Sequence, residues 1–284
     1  MSWDFCEDAD DFYARRQLVL DENESLNCLA FAAIHQAKTS DRGVQDFVFC
    51  TFRESGSSTA HAVYSRESQI LVLSTMSDEQ AVQLWAFFNH HTIAVQLVEG
   101  PRGAALQFAT RWSQATSRPH EVEMRQGLYE VTSPVMPDAA GGTLVVAADN
   151  DEAKLNQFLT AFIKECFPEK PTSEAHISNR VRRMITERKG YFWKNLEGQA
   201  VSMASVVRES PNTASISLVY TPREHRSCGY GANVVASLSQ DQLSRGKRAC
   251  NLYADLANET STGVYKRIGY TLIGESVRVR LDTL

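Results

Sequence analysis

Val219-Tyr220-Thr221-Pro222, followed after three residues by Arg226-Ser227-Cys228-Gly229-Tyr230-Gly231-Ala232, is the stretch that decides how this chain reads. An apolar strand breaks at a proline, a short loop follows, and two glycines two apart open a helix. A helix opened in this way leaves its first backbone N–H groups without intrahelical partners. Such a helix start holds phosphate, so the predicted ligand is a phosphorylated cofactor.

The remaining composition narrows the class. With 43% hydrophobic and 22% charged residues in 284, there is enough apolar material for one large domain or two moderate ones. No apolar run reaches bilayer length, so no membrane partner is expected. The opening Met-Ser-Trp-Asp turns acidic and does not read as a secretory leader. Cys6, Cys28, Cys50, Cys166, Cys228 and Cys250 form no C-x-x-C pair. Neither a metal site nor a disulfide scaffold is indicated, and a reducing cytoplasmic location is expected.

Charge is uneven along the chain. Residues 1–140 carry 10 basic and 19 acidic residues, a balance of −9; residues 141–284 carry 19 and 15, a balance of +4. The basic excess lies in the half with the glycine turn, the sign a polyanionic ligand favours. It is too diluted by acids for a nucleic-acid binder.

Residues 131–142, with two prolines and two glycines, are the predicted domain boundary, placed near 140. Downstream the order reads β-α-α-β-β-β-α-β-α-β. A strand at Thr143–Ala148 precedes a helix to about Phe167, stopped by Pro168 and Pro171. A basic helix follows at Ser173–Lys189, then strands at Tyr191–Lys194, Gln199–Val207 and Ala214–Thr221. The helix Gly231–Arg245 leads to a strand at Ala249–Ala254 and a short helix at Thr260–Ile268. Strands at Tyr270–Ile273 and Ser276–Leu281 close the chain. The first half is a second α/β unit. It has predicted helices at about 8–20, 23–38, Ser77–Phe88 and Gly103–Gln114. Its predicted strands are Asp46–Arg53, Ala60–Tyr64, Gln69–Leu73 and Thr92–Val98.

Residues 143–284 resemble the GNAT superfamily of N-acetyltransferases. Arg226-Ser227-Cys228-Gly229-Tyr230-Gly231 matches that family's Q/R-x-x-G-x-G/A signature after a central strand. Asn258, Ser261 and Tyr265, followed by Gly269-Tyr270, resemble its second motif. The whole chain is similar to a two-domain bacterial type whose N-terminal half is a degenerate copy. The resemblance implies an α/β (α+β) fold, a mixed central sheet flanked by helices, with 1–140 as the degenerate GNAT-like domain and 141–284 as the acetyltransferase domain.

It also implies acetyl-CoA (coenzyme A) as co-substrate and acyl transfer to a primary amine, on a small molecule or a peptide. The diphosphate suits the amides of Ser227, Cys228, Gly229, Tyr230, Gly231 and Ala232, with Gly229 and Gly231 allowing close approach. Arg226 holds a phosphate or packs the loop. The pantetheine arm pairs with the edge of Leu218, Val219, Tyr220 and Thr221, and Asn258 bonds it from the other side. Tyr265 takes the family's general-acid position. An oxyanion donor is expected at the backbone of Val219 or Tyr220. The base stays open among Asp255, Glu165 and a water chain ending at Ser217, since Ala214–Thr221 lacks the glutamate many relatives carry. That gap supports an alternative, a non-catalytic acyl-CoA-binding sensor or regulatory protein. The acidic first half is expected to cover the cleft and to favour a cationic amine. The sequence allows an oligomer.

Overall fold

The computed structural model describes residues 2–6, 8–39, 43–53, 60–138, 140–168 and 172–282. Pro171, expected to end a helix, lies outside them. In chain order the elements begin β1 (Ser2–Cys6), α1 (Ala9–Glu22), α2 (Cys28–Thr39), α3 (Gly43–Asp46), β2 (Phe47–Arg53), β3 (His61–Ser65), β4 (Ile70–Leu73), α4 (Asp78–His90), β5 (Leu97–Pro101), α5 (Arg102–Thr116) and β6 (His120–Val131). They continue β7 (Thr143–Val146), α6 (Glu152–Cys166), α7 (Glu174–Thr186), β8 (Gly190–Lys194), β9 (Ala200–Glu209), β10 (Thr213–Tyr220), α8 (Tyr230–Ser244), β11 (Ala249–Asp255), α9 (Glu259–Arg267) and β12 (Thr271–Leu281). Short 3-10 turns sit at Asp149–Asp151 and Arg223–His225.

The chain divides into two compact units: Met1–Leu128 with Tyr253–Asn258 and Leu272–Leu284, and Tyr129–Leu252 with Glu259–Thr271. In the first, β1, β2, β3 and β4 pair antiparallel in sequence order. β4 runs parallel to β5, and β5 antiparallel to β12. Both faces of this sheet are covered, and β2 shows why Phe47–Cys50 is an unbroken apolar run. Val48, Cys50 and Phe52 join a core with Leu84, Phe88 and Phe108 of α4 and α5. Phe47 and Phe49, pointing the other way, join Phe12, Phe31 and Ile34 of α1 and α2. α4 starts at a capping box between Ser77 and Gln80, as its Ser-x-x-Gln spacing dictates.

In the second unit β7, β8, β9 and β10 pair antiparallel, and β10 runs parallel to β11. From β7 to α9 the element order matches the one expected from the sequence. α6 and α7 pack Leu155, Phe158, Val181 and Met184 on Phe192, Met203 and Leu218 of the sheet. α8 is anchored by Ser239, whose Oγ lies 2.8 Å from the buried Tyr270 hydroxyl.

Several expectations needed correction. β1, α3 and β6 were absent from the sequence reading. The strand expected from Thr92 begins at Leu97. The two closing strands are one, because Gly274 continues β12.

Candidate functional site in the second unit

The end of β10 is distorted in a specific way. Its parallel ladder with β11 covers Thr213 to Ser215, and Ile216–Tyr220 runs on beyond it. Two bulges interrupt its ladder with β9. Val207 is the extra residue of β9, between the pairs Ser215↔Arg208 and Ile216↔Val206. β10 gains one residue between Ser217↔Ser205 and Tyr220↔Met203, where Leu218 has φ 55°. Bulges leave an unpaired residue and re-aim the strand. The strand end is nevertheless held: the buried Ser202 hydroxyl donates to the Tyr220 carbonyl at 3.1 Å and lies 2.9 Å from Thr221 Oγ1.

Beyond Pro222 the chain makes its 3-10 turn and enters the glycine loop. Ser227 has φ 64° and Gly229 φ 80°. Gly229 is the N-cap of α8, and no side chain caps the helix. The first intrahelical bond runs from Asn233 N to Gly229 O at 3.0 Å. The amides of Tyr230, Gly231 and Ala232 are therefore presented at the positive end of a four-turn helix. A Cβ on Gly231 would meet only Thr221 Oγ1, at 3.4 Å. The protein itself has room for a side chain there.

Arg226 braces this loop. Its Nε donates to the Thr221 carbonyl at 2.9 Å and its Nη2 to Glu165 Oε2 at 2.6 Å. Arg223 lies 3.6 Å from the same carboxylate, and the Tyr220 hydroxyl donates to it at 3.4 Å. The Arg226 bond holds the Glu165 carboxyl below its ordinary value. A carboxylate so engaged is a weak proton acceptor. Cys228 is exposed, with its thiol 3.5 Å from the Arg226 carbonyl. His225 makes an edge contact with the Tyr230 ring.

Tyr265 lies on α9, half-buried, and burial pushes its phenol up to about 12. Its hydroxyl has no hydrogen-bond partner among the described residues, so a protonated donor is left available. Asp255 Oδ1 accepts the Ala257 N–H at 2.9 Å in a local turn, and the residue is exposed. The second unit thus carries Leu218 to Ala232 as one continuous segment, together with Tyr265. Asn258 falls in the first unit, where its N–H donates to the Asp255 carbonyl at 3.0 Å. Sequence reasoning missed Ser202 and the two bulges. Serine in an apolar strand was the one signal for Ser202; the bulges carry no glycine to mark them.

The donor set fits a diphosphate: uncapped amides, a left-handed glycine, and a loop braced by Arg226. Among the described residues no group of three His, Cys, Asp or Glu side chains is placed to hold a metal ion. Among them, too, no helix is long and apolar enough to cross a membrane.

Residues 196–279, which include the glycine turn, match the family described as FR47-like protein. Solved structures agree over nearly the full length. The chain is similar to a Drosophila protein at 13% identity and TM-score 0.65, over 96% of each chain. It is similar to a GCN5-related N-acetyltransferase from Sphaerobacter thermophilus at 15% and 0.63, over 98% of this chain and 95% of that one. A tandem GNAT protein from the clavulanic acid biosynthesis pathway matches at 11% and 0.51, over 99% and 98%. No curated protein matches. The fold is the GNAT fold, a mixed sheet flanked by helices. The family match covers residues 196–279, and the likeness to solved GNAT structures over the rest of the chain is one of fold.

Proposed function

We propose that the protein is an acyl-CoA-dependent N-acyltransferase that moves an acetyl group from acetyl-CoA to a primary amine, using residues of 141–284. The observation that carries this reading is the uncapped start of α8 beside a strand, β10, that outruns its β11 partner. The amides of Tyr230 to Ala232 bind the diphosphate, and Ser227 to Gly229 shape its seat. The free edge of Leu218–Thr221 pairs with the pantetheine amides. Asn258 enters through the family resemblance alone.

The amine nitrogen bonds to the acetyl carbon while the carbon–sulfur bond breaks. The nitrogen loses a proton to water, the departing sulfur gains one, and the phenolate left on the donor is reprotonated from solvent. Tyr265 supplies the proton to sulfur, and its raised pKa keeps it charged with that proton at neutral pH. The ladder interruption at Leu218–Val219 supports Val219 or Tyr220 as the N–H donor for the oxyanion. Arg226 engages Glu165, and Asp255 lies in a local turn, so neither is assigned as the base and the amine arrives neutral by its own equilibrium. A cytoplasmic setting fits a cysteine spacing that holds no C-x-x-C pair.

Thiol release from acetyl-CoA across an amine panel tests the reading. Acceptor-dependent release is expected; binding of acetyl-CoA without release by any amine contradicts it. That second result is what the acyl-CoA sensor predicts, and the absence of a carboxylate from β10 (Thr213–Tyr220) favours that alternative.

A further inference from the structure

A cavity of about 380 Å³ in the second unit lies between α7 and the distorted parts of β9 and β10. Both bulges face it: Val207 and Leu218 are among its lining residues. Its walls are cationic. Arg180, Arg183 and Lys189 line it, against one carboxylate, Glu187.

These cations differ in how they are satisfied. Arg183 Nε donates to Glu187 Oε1 at 2.8 Å. Lys189 Nζ sits 3.0 Å from Glu187 Oε2 and 3.1 Å from Glu209 Oε2. Arg180 has no ion-pair or hydrogen-bond partner among the described residues, and neither has Arg208 nearby. Solvent reaches Arg180, yet protein surrounds it closely enough that burial, then the like charges of Arg208 and Arg183, lower its pKa. Gathering guanidinium groups without a counter-ion is electrostatically unfavourable, and a bidentate anion relieves it.

We infer that this cavity takes the acceptor and that Arg180 binds a carboxylate on it, so that the acceptor is an amine carrying an acid, such as an amino acid. The inference rests on the acyltransferase reading for the word acceptor. It reverses the preference for a cationic amine expected from the acidic balance of residues 1–140. Leu218 belongs both to this cavity and to the strand edge proposed for the pantetheine arm, which brings the anion site to the reacting end of the donor. Glu187 is already shared by Arg183 and Lys189, which leaves Arg180 free to engage the ligand.

The test separates the site from the reaction. Ligand-observed NMR on the full chain, without acetyl-CoA, compares N-acetyl-L-glutamate with its neutral diamide. Binding of the acid alone is expected, weakened roughly tenfold or more in Arg180→Gln and weakened less in Arg180→Lys, which keeps the charge but loses the bidentate fork. Equal binding of acid and diamide, or an Arg180→Gln protein that binds as wild type, overturns the proposal. In the kinetic arm glycine, glutamate and phenylalanine are compared with their carboxamides. Arg180→Gln should raise KM for the acids roughly tenfold with kcat little changed, and leave the amides unaffected. Acid binding through Arg180 without thiol release from any acceptor would uphold the anion site and reject the acyltransferase reading.

Discussion

Arg226 reaches Glu165 at 2.6 Å while its Nε holds the Thr221 carbonyl at 2.9 Å, tying α6 to both ends of the turn before α8. The guanidinium thereby acts as a brace on the loop, with its charge already answered by a carboxylate.

Arg226→Ala should therefore weaken acetyl-CoA binding by displacing the loop, roughly tenfold or more. Glu165→Gln keeps the Thr221 bond and should weaken it less. Calorimetry checks both, and tighter binding by Glu165→Gln would instead mark Glu165 as a competitor for a phosphate on Arg226. The pair also has a pH signature. Glu165 titrates below its ordinary value of 4.5, so its contribution is present above that pH and is lost as pH falls through the lowered value.

Tyr265→Phe removes the proton donor but leaves the ring in place. Turnover should fall roughly 100-fold while KM for acetyl-CoA stays within about twofold. In the wild type the rate should climb with pH as the amine deprotonates. No falling limb from Tyr265 should appear until pH approaches 12, where the phenol ionises. Burial favours the neutral phenol, so its stability contribution is full below pH 10 and is lost as pH rises toward 12. A pH–rate profile on both proteins decides this; equal turnover removes Tyr265 from the mechanism.

The two glycines of the turn should behave differently. Gly229→Ala forces a Cβ into a backbone at φ 80°, although its nearest neighbour, Ala140 Cβ, is 3.4 Å away. The penalty is conformational, about 1–2 kcal/mol of stability. Gly231 is helical, and its substitution to Ala should leave thermal unfolding nearly unchanged while lowering acetyl-CoA affinity. Melting curves and titrations on the two variants test the contrast.

Ser202→Ala removes the hydroxyl that holds the Tyr220 carbonyl and Thr221 Oγ1 from a fully buried position. A loss of about 1–2 kcal/mol is expected, with a higher KM for acetyl-CoA because the strand end loosens. Denaturant unfolding and steady-state kinetics report the two effects.

The parts of this molecule written locally were legible. Thr221-Pro222 and the glycines mark a strand end and a helix start through backbone restrictions that act within a few residues. Leu155, Phe158 and Leu159 announced α6 by their spacing, and they are buried. β6 was hidden because His120-Glu121-Val122-Glu123-Met124-Arg125-Gln126 mixes charged and apolar residues, and much of the strand stays partly exposed. β1 was hidden by acidic neighbours, although Trp3 is buried in the core. Bulges depend on which strand pairs with which, and neither Val207 nor Leu218 differs in type from an ordinary strand residue. The engagement of Arg226 by Glu165 joins residues 61 positions apart, a distance no local pattern spans. Arg180 was one of several basic residues on an expected basic helix, and only packing shows it to be without a counter-ion among the described residues.

The account stands on main-chain amides at the start of α8 holding a diphosphate. Backbone amide NMR during titration with acetyl-CoA tests this most directly. The account predicts that the largest shifts fall on Ser227 to Ala232, with Tyr230, Gly231 and Ala232 moving downfield as they gain acceptors. Saturation with acetyl-CoA that leaves these resonances in place would contradict it.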